Sequence, residues 1–220
     1  MNFFSDNGGS KFFRFATKLS ELMWLNILTF ICCIPIITIG SAFTAMHTVL
    51  VQIYRDEEDK ITRSFFSALK KNFGQSTLIW LIYLAFYGLL LVENWAMRVL
   101  ENPTLKYLEI MVPVLAFIGA LSLCWVFVLQ SRYKLTLKDT IVYSFTRIIA
   151  FPIRTLFMAV ALIVPLLFVL YVPQMAIVVF MLGITGPGIL STCFYNYALR
   201  VMEDDISKKE LEEETEEIEA

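Results

Sequence analysis

Long apolar runs alternate with short charged segments along this chain of 220 residues. Four of the runs contain at least 18 consecutive residues without Asp, Glu, Lys or Arg, and the last of them, residues 155–199, divides at Pro173 into two segments. About 20 apolar residues in a helix are enough to cross a hydrocarbon core of about 30 Å. The pattern therefore predicts an all-α, polytopic transmembrane bundle with five spans, at residues 22–52, 73–92, 110–130, 155–172 and 174–199.

The first apolar run is too long for one straight crossing. A continuous helix over residues 22–52 would be about 46 Å long, which exceeds the thickness of the core. Pro35 and Gly40 supply a break, because proline removes a backbone donor and glycine loosens the next turn. The break is compatible with one bent span or with a hairpin of two short spans. The hairpin gives six crossings and moves the N-terminus to the other side of the membrane.

Two connecting segments, residues 61–73 and 137–149, have the apolar periodicity of amphipathic helices. In the first, we predict a buried apolar face and an exposed polar face. The apolar face holds Phe65, Phe66 and Leu69, and the polar face holds Ser64, Lys70 and Lys71. In the second, only Lys138 departs from the pattern. Such helices lie in the membrane interface or bind a partner protein.

The positive charges indicate the orientation, because Lys and Arg accumulate in cytoplasmic loops. With five spans, thirteen of the 18 Lys and Arg residues fall on one side and five on the other. This places both amphipathic segments and the C-terminus in the cytoplasm. Lys11, Arg14 and Lys18 lie outside in this arrangement, but they fit the inside equally well if the first run is a hairpin.

The composition supports a membrane protein and distinguishes an acidic C-terminal tail from the rest of the chain. Apolar residues make up 58% and charged residues 17% of the chain, against about 45–50% and about 25% in soluble domains. Ten of the 20 acidic residues follow Val201. We therefore predict a transmembrane domain at residues 1–202 and a disordered acidic cytoplasmic tail at residues 203–220.

A weak internal repeat relates the two halves of the chain at a constant spacing. Phe73, Thr77 and Leu78 recur as Phe151, Thr155 and Leu156, and Pro35 recurs as Pro113. Each copy would consist of a span, an amphipathic helix and a second span. Both copies run in the same direction, which predicts parallel repeats related by an axis near the membrane normal.

Motifs for catalysis or metal binding are absent from the sequence. There is no nucleotide-binding P-loop, no H-E-x-x-H and no carboxylate cluster within a span. We expect the lone His47 to form a hydrogen bond with a neighbouring helix, because a proton relay needs a second ionisable group at membrane depth. We therefore predict no enzymatic activity, no catalytic residue, no cofactor, no metal and no nucleic-acid partner.

Small and weakly polar residues form a stripe after Pro35, at Ser41, Thr44, Ala45, Thr48 and Gln52. Small residues on one face let membrane helices approach closely. The stripe is therefore a candidate contact with a membrane partner. The candidate partner-contact residues are Ser41, Thr44 and Thr48 in the stripe and Lys70 and Lys71 in the first amphipathic segment.

Several motifs resemble the YesL-like family of bacterial integral membrane proteins. They are PIITIGSAFTAM at 35–46, FFSALKKNFGQST at 65–77 and YSFTRIIAFPIRTL at 143–156. The resemblance covers nearly all of residues 1–200, and the acidic tail lies outside it. Ser41 departs from the family pattern, which often has proline there. The family offers no catalytic residues to transfer.

The resemblance implies a link to sugar uptake, because genes of this family often lie near those of carbohydrate ABC importers. We therefore expect a non-catalytic accessory subunit of such an importer in the cytoplasmic membrane. Its partners would be the lipid bilayer and a membrane protein such as an ABC transporter permease. The alternative is a small-molecule transporter or channel that acts as a homo-oligomer, with the stripe from Ser41 to Gln52 lining its path.

Overall fold

The structure, a computed structural model, describes residues 9–55, 60–100, 106–133, 135–171, 183–197 and 199–201. All regular secondary structure in these ranges is helical. Six helices are α1 (Gly9–Cys33), α2 (Ile39–Tyr54), α3 (Ile61–Leu100), α4 (Lys106–Arg132), α5 (Leu137–Ala150) and α6 (Pro152–Tyr171). A further helix, α7, comprises residues 185–197 and 199–201. The predicted acidic tail at 203–220 lies outside the described residues.

The long first apolar run forms two helices, α1 and α2, joined through a short 3-10 turn at Ile36–Thr38. Pro35 precedes the turn in an extended conformation. The Nε1 of Trp24, in the middle of α1, donates a hydrogen bond to Thr62 Oγ1 in the first turn of α3, at 2.9 Å. Since α3 begins shortly after α2 ends, α1 must run antiparallel to α2.

The hairpin corrects the prediction of a single bent span at residues 22–52. Ala16–Cys33 and Ile36–Tyr54 are each long and apolar enough to cross a membrane. The hairpin brings Lys11, Arg14 and Lys18 to the side that already held thirteen cations, which then holds sixteen against two. The positive-inside rule is therefore satisfied better by the hairpin than by the bent span.

The first amphipathic segment and the second predicted span are parts of one helix. α3 continues without interruption for 40 residues from Ile61 to Leu100. A helix of this length extends for about 60 Å, so it must protrude from a core of about 30 Å. If residues 73–92 cross the membrane, the first three turns of α3 protrude on one side and its last two turns protrude on the other.

The second amphipathic segment forms a separate helix, α5. Its N-cap is Thr136, whose side chain accepts a hydrogen bond from the Asp139 backbone N–H. α5 and α6 meet at a bend of 104°. Phe151, at the bend, has φ −132° and ψ 59°. The following Pro152 explains the break, because proline disfavours the helical conformation of the residue before it.

α7 packs across α2 and ties together both halves of the chain. The Asn26 side-chain oxygen on α1 accepts hydrogen bonds from the backbone N–H groups of Ile184 and Thr185, both at 3.1 Å. A Cβ on Gly188 would lie 2.6 Å from Leu50 Cδ1. Further along, Tyr195 and Leu199 join a buried cluster on α2, α4 and α6, with Val51, Trp125, Val128 and Met158.

The structure confirms an all-α bundle of transmembrane length. Among the described residues, four helices are long and apolar enough to span a membrane, or five if α5 and α6 count as one bent span. The two predicted repeats share an order of elements but differ in detail. The chain is straight at Phe73 and bent at Phe151, and Pro35 lies between helices whereas Pro113 lies inside α4. The internal repeat stays a prediction.

Candidate functional site

Two of the five candidate contact residues lie on an exposed basic surface at the start of α3. Lys70 and Lys71 are both exposed. Lys70 borders a shallow depression of about 740 Å³, which we call the basic groove. The groove is lined by Lys60, Ile61, Thr62, Arg63, Phe66, Ser67 and Lys70. Lys60, Arg63 and Lys70 therefore surround the exposed aromatic side chain of Phe66.

The opposite face of the same turns anchors α3 to the helical hairpin. Phe65 is fully buried and belongs to a hydrophobic cluster that includes Leu25 on α1 and Leu50 on α2. Ser64 Oγ donates a hydrogen bond of 2.7 Å to Gln52 Oε1 on α2. These contacts fix the rotation of α3 and leave the basic groove facing away from the bundle.

The predicted faces of this segment are wrong at two positions. The apolar periodicity predicts a buried Phe66, but this side chain is 48% exposed and lines the groove. The same periodicity predicts Ser64 on the exposed polar face, but Ser64 is buried. The buried face is centred on Phe65 and Ala68, because Gln52 on α2 offers Ser64 a polar partner inside the bundle.

The other three candidate residues lie inside the bundle. Ser41 and Thr44 are fully buried, and Thr48 is partly buried. Thr44 Oγ1 accepts a hydrogen bond of 3.0 Å from Ser76 Oγ on α3. Thr48 Oγ1 lies 3.4 Å from the Ser131 carbonyl oxygen on α4. The stripe thus contacts helices of the same chain, and the structure does not bring it together with Lys70 and Lys71.

Other polar side chains at membrane depth also form contacts between helices. His47 Nδ1 lies 3.1 Å from Tyr195 Oη on α7, which confirms the expected hydrogen bond of the lone histidine. Sequence reasoning missed a chain of hydroxyls that links α3, α4 and α5 through Tyr83, Ser122 and Ser144. Nothing in the sequence spacing pairs residues on three different helices.

In the part of the chain that the structure describes, no group of three or more His, Cys, Asp and Glu side chains could hold a metal ion. Cys32, Cys33, Cys124 and Cys193 are all free thiols.

Comparison with known proteins gives one family match. No curated protein and no solved structure matches the chain. Residues 22–94 match a family described as "Protein of unknown function, DUF624". The match includes the C-terminal part of α1, all of α2 and most of α3, and it contains the basic groove. The motif at 143–156, which also resembles the YesL-like family, lies outside it. Residues 22–94, about a third of the chain, are thus similar to the DUF624 family, which is the YesL-like family.

Proposed function

We propose that this protein is a non-catalytic accessory subunit of a carbohydrate ABC import system in the cytoplasmic membrane. The observation that carries the proposal is the basic groove. It exposes Arg63, Phe66 and Lys70 on the side that the cation distribution assigns to the cytoplasm. Aromatic and arginine side chains are enriched in protein interfaces, and complementary charges orient a partner.

The family resemblance supplies the kind of partner. The groove lies within the DUF624 match at residues 22–94. Carbohydrate import is the process to which the YesL-like resemblance points. A permease or ATPase subunit that offers acidic side chains at the cytoplasmic surface would complement the groove.

The internal hydrogen bonds support a binding role over transport. A solute path requires polar groups that face a cavity. In the described residues, hydroxyls instead form hydrogen-bonded pairs between helices, Ser76 with Thr44 and Tyr83 with Ser122. These pairs account for polar residues at membrane depth without a substrate.

Co-purification from native membranes in mild detergent tests the proposal. We expect importer permease and ATPase subunits to be recovered with the tagged wild-type protein. Reversing Lys70 and Lys71 to Glu should lower that recovery about tenfold, because charge repulsion replaces attraction. Lys138→Glu is the matched control, since Lys138 is an exposed cation on α5 and does not line the groove. Unchanged recovery in the double variant, or recovery of no importer subunit with the wild type, contradicts the proposal.

Reconstitution separates the accessory role from the homo-oligomeric transporter. Liposomes that contain only this protein should show no more flux of sugars or ions than empty liposomes. Substrate-specific flux from the protein alone would contradict the accessory role and support the transporter.

A further inference from the structure

Two arginines converge at the bend between α5 and α6. Arg147 lies in the last turn of α5, and Arg154 lies in the first turn of α6. Their guanidinium carbons lie 5.9 Å and 5.3 Å from the centroid of the Phe151 ring. Arg154 also lies 4.1 Å from the centroid of the Tyr197 ring on α7. We call Arg147, Phe151 and Arg154 the arginine corner.

The arginine corner has hydrogen-bond donors that its own chain does not use. Arg147 Nε and Arg154 Nη1 are buried, and neither has a hydrogen-bond partner in the described ranges. In those ranges no carboxylate pairs with either guanidinium. Buried donors on a charged group are costly when they are left unsatisfied.

The backbone does not remove this excess of positive charge. The carboxyl end of α5 carries a partial negative charge that offsets part of the charge of Arg147. The amino end of α6 carries a partial positive charge, which adds to that of Arg154. A ligand that fits the corner must therefore bring negative charge and acceptor oxygens.

Exposed apolar side chains beside the corner favour a position at a membrane surface. Ile149 and Ile153, on either side of the bend, are 82% and 70% exposed. An amphipathic helix that meets a spanning helix lies at the level of the lipid headgroups. Exposed isoleucines at this level contact acyl chains, and basic pockets between membrane helices bind anionic headgroups.

We propose that the arginine corner is a binding site for a phosphate group, carried by an anionic phospholipid or by a soluble phosphate. Each guanidinium presents a planar fork of donors that matches two phosphate oxygens. Stacking on Phe151 and Tyr197 holds the forks in place before the ligand arrives.

A titration of the purified full-length protein with fluorescent phosphatidylglycerol in detergent micelles tests this site. Arg154→Gln should weaken binding about tenfold, because it removes a charge-assisted contact. The Arg147→Gln/Arg154→Gln double variant should weaken binding further, and Arg154→Lys should be intermediate. Lys138 is an exposed cation on α5, the helix that carries Arg147. Lys138→Gln should change the dissociation constant less than about twofold.

Competition with the wild-type protein identifies the carrier of the phosphate. Displacement of the probe by unlabelled phosphatidylglycerol, but not by inorganic phosphate, supports a lipid site. Displacement by millimolar inorganic phosphate as well supports a site that recognises the phosphate alone. Equal competition by diacylglycerol, which has the acyl chains but no phosphate, overturns the proposal without any variant. Unchanged probe binding by a folded double variant also overturns it.

Discussion

Single residues set how closely the helices of this protein pack. Gly40 lies where α2 meets α3. A Cβ on Gly40 would lie 2.5 Å from the Ser76 carbonyl oxygen and 2.7 Å from Trp80 Cβ. Gly74 lies on the same helix as Ser76, but a Cβ there would have no neighbour within 4 Å. Comparing alanine substitutions at Gly40 and Gly74 therefore separates the effect of packing from the effect of losing a glycine.

Gly40→Ala should destabilise the protein by about 1–3 kcal/mol, because the added methyl group overpacks a contact with backbone atoms. Gly74→Ala should leave stability unchanged or raise it by up to about 1 kcal/mol, since alanine favours the helix more than glycine. Thermal unfolding in detergent measures both variants. Equal melting temperatures for the two variants would contradict the close approach of α2 and α3.

A second residue-scale prediction concerns Asn26, which binds the amino end of α7. Asn26→Leu removes the oxygen that accepts from the backbone N–H groups of Ile184 and Thr185. We expect a loss of about 1–3 kcal/mol, because one buried and one partly buried donor lose their partner. Hydrogen exchange should accelerate in residues 183–197 and stay unchanged in α3. Unchanged exchange in residues 183–197 would show that α7 does not depend on this cap.

At this scale, the sequence predicts the kind of contact better than its partner. The expectation that His47 binds a neighbouring helix is confirmed, but only the structure identifies Tyr195. Asn26 and Thr185 lie at opposite ends of the chain, and no periodicity in the sequence relates them. Helical projection places Ser64 on the wrong face because it considers one helix alone. Ser64 is buried where it donates a hydrogen bond to Gln52 on another helix.

At the scale of elements, the two amphipathic segments are built differently. Apolar periodicity predicts both, and both are helical. The first continues through Phe73 into a span because the next residue is glycine, which a helix tolerates at a cost of about 1 kcal/mol. The second ends before Phe151 because the next residue is proline. Hydropathy alone does not distinguish these outcomes.

Distances between spin labels test this difference. Labels at Ser67 and Leu89, both exposed on the uninterrupted α3, should be separated by about 33 Å. Labels at Lys138 and Leu156 lie on either side of the bend and should be closer than the value of about 27 Å for a straight helix. A Ser67–Leu89 distance well below the value for an uninterrupted helix would indicate a break in α3. A Lys138–Leu156 distance near the straight-helix value would contradict the bend.

At the scale of the whole molecule, the number of spans is the feature that the sequence predicts least well. The absence of charged residues over a long stretch identifies each apolar run. A run as long as residues 22–52, however, fits either one bent span or two short ones. The choice depends on the contact between Trp24 and Thr62, which forms only after the chain has folded back. The side of the N-terminus follows from that contact.

Cysteine accessibility in intact cells tests this topology. In a variant without the four native cysteines, we expect cysteines at Phe13, Ser67 and Lys138 to be shielded from an impermeant thiol reagent. A cysteine at Thr104, in the predicted external connection, should react. The hairpin places Phe13 on the same side as Ser67. A reaction at Phe13 without one at Ser67 would contradict the hairpin and support the bent span.

The central claim is that the basic groove contacts an importer subunit in the cell, and site-specific photocrosslinking tests it most directly. A photoreactive amino acid at Ser67, inside the groove, should crosslink to a permease or ATPase subunit of a carbohydrate ABC importer. The same group at Leu91, which is 73% exposed on the predicted spanning part of α3, should give no such product. Crosslinks from Ser67 only to lipid or to a second copy of this chain would contradict the account.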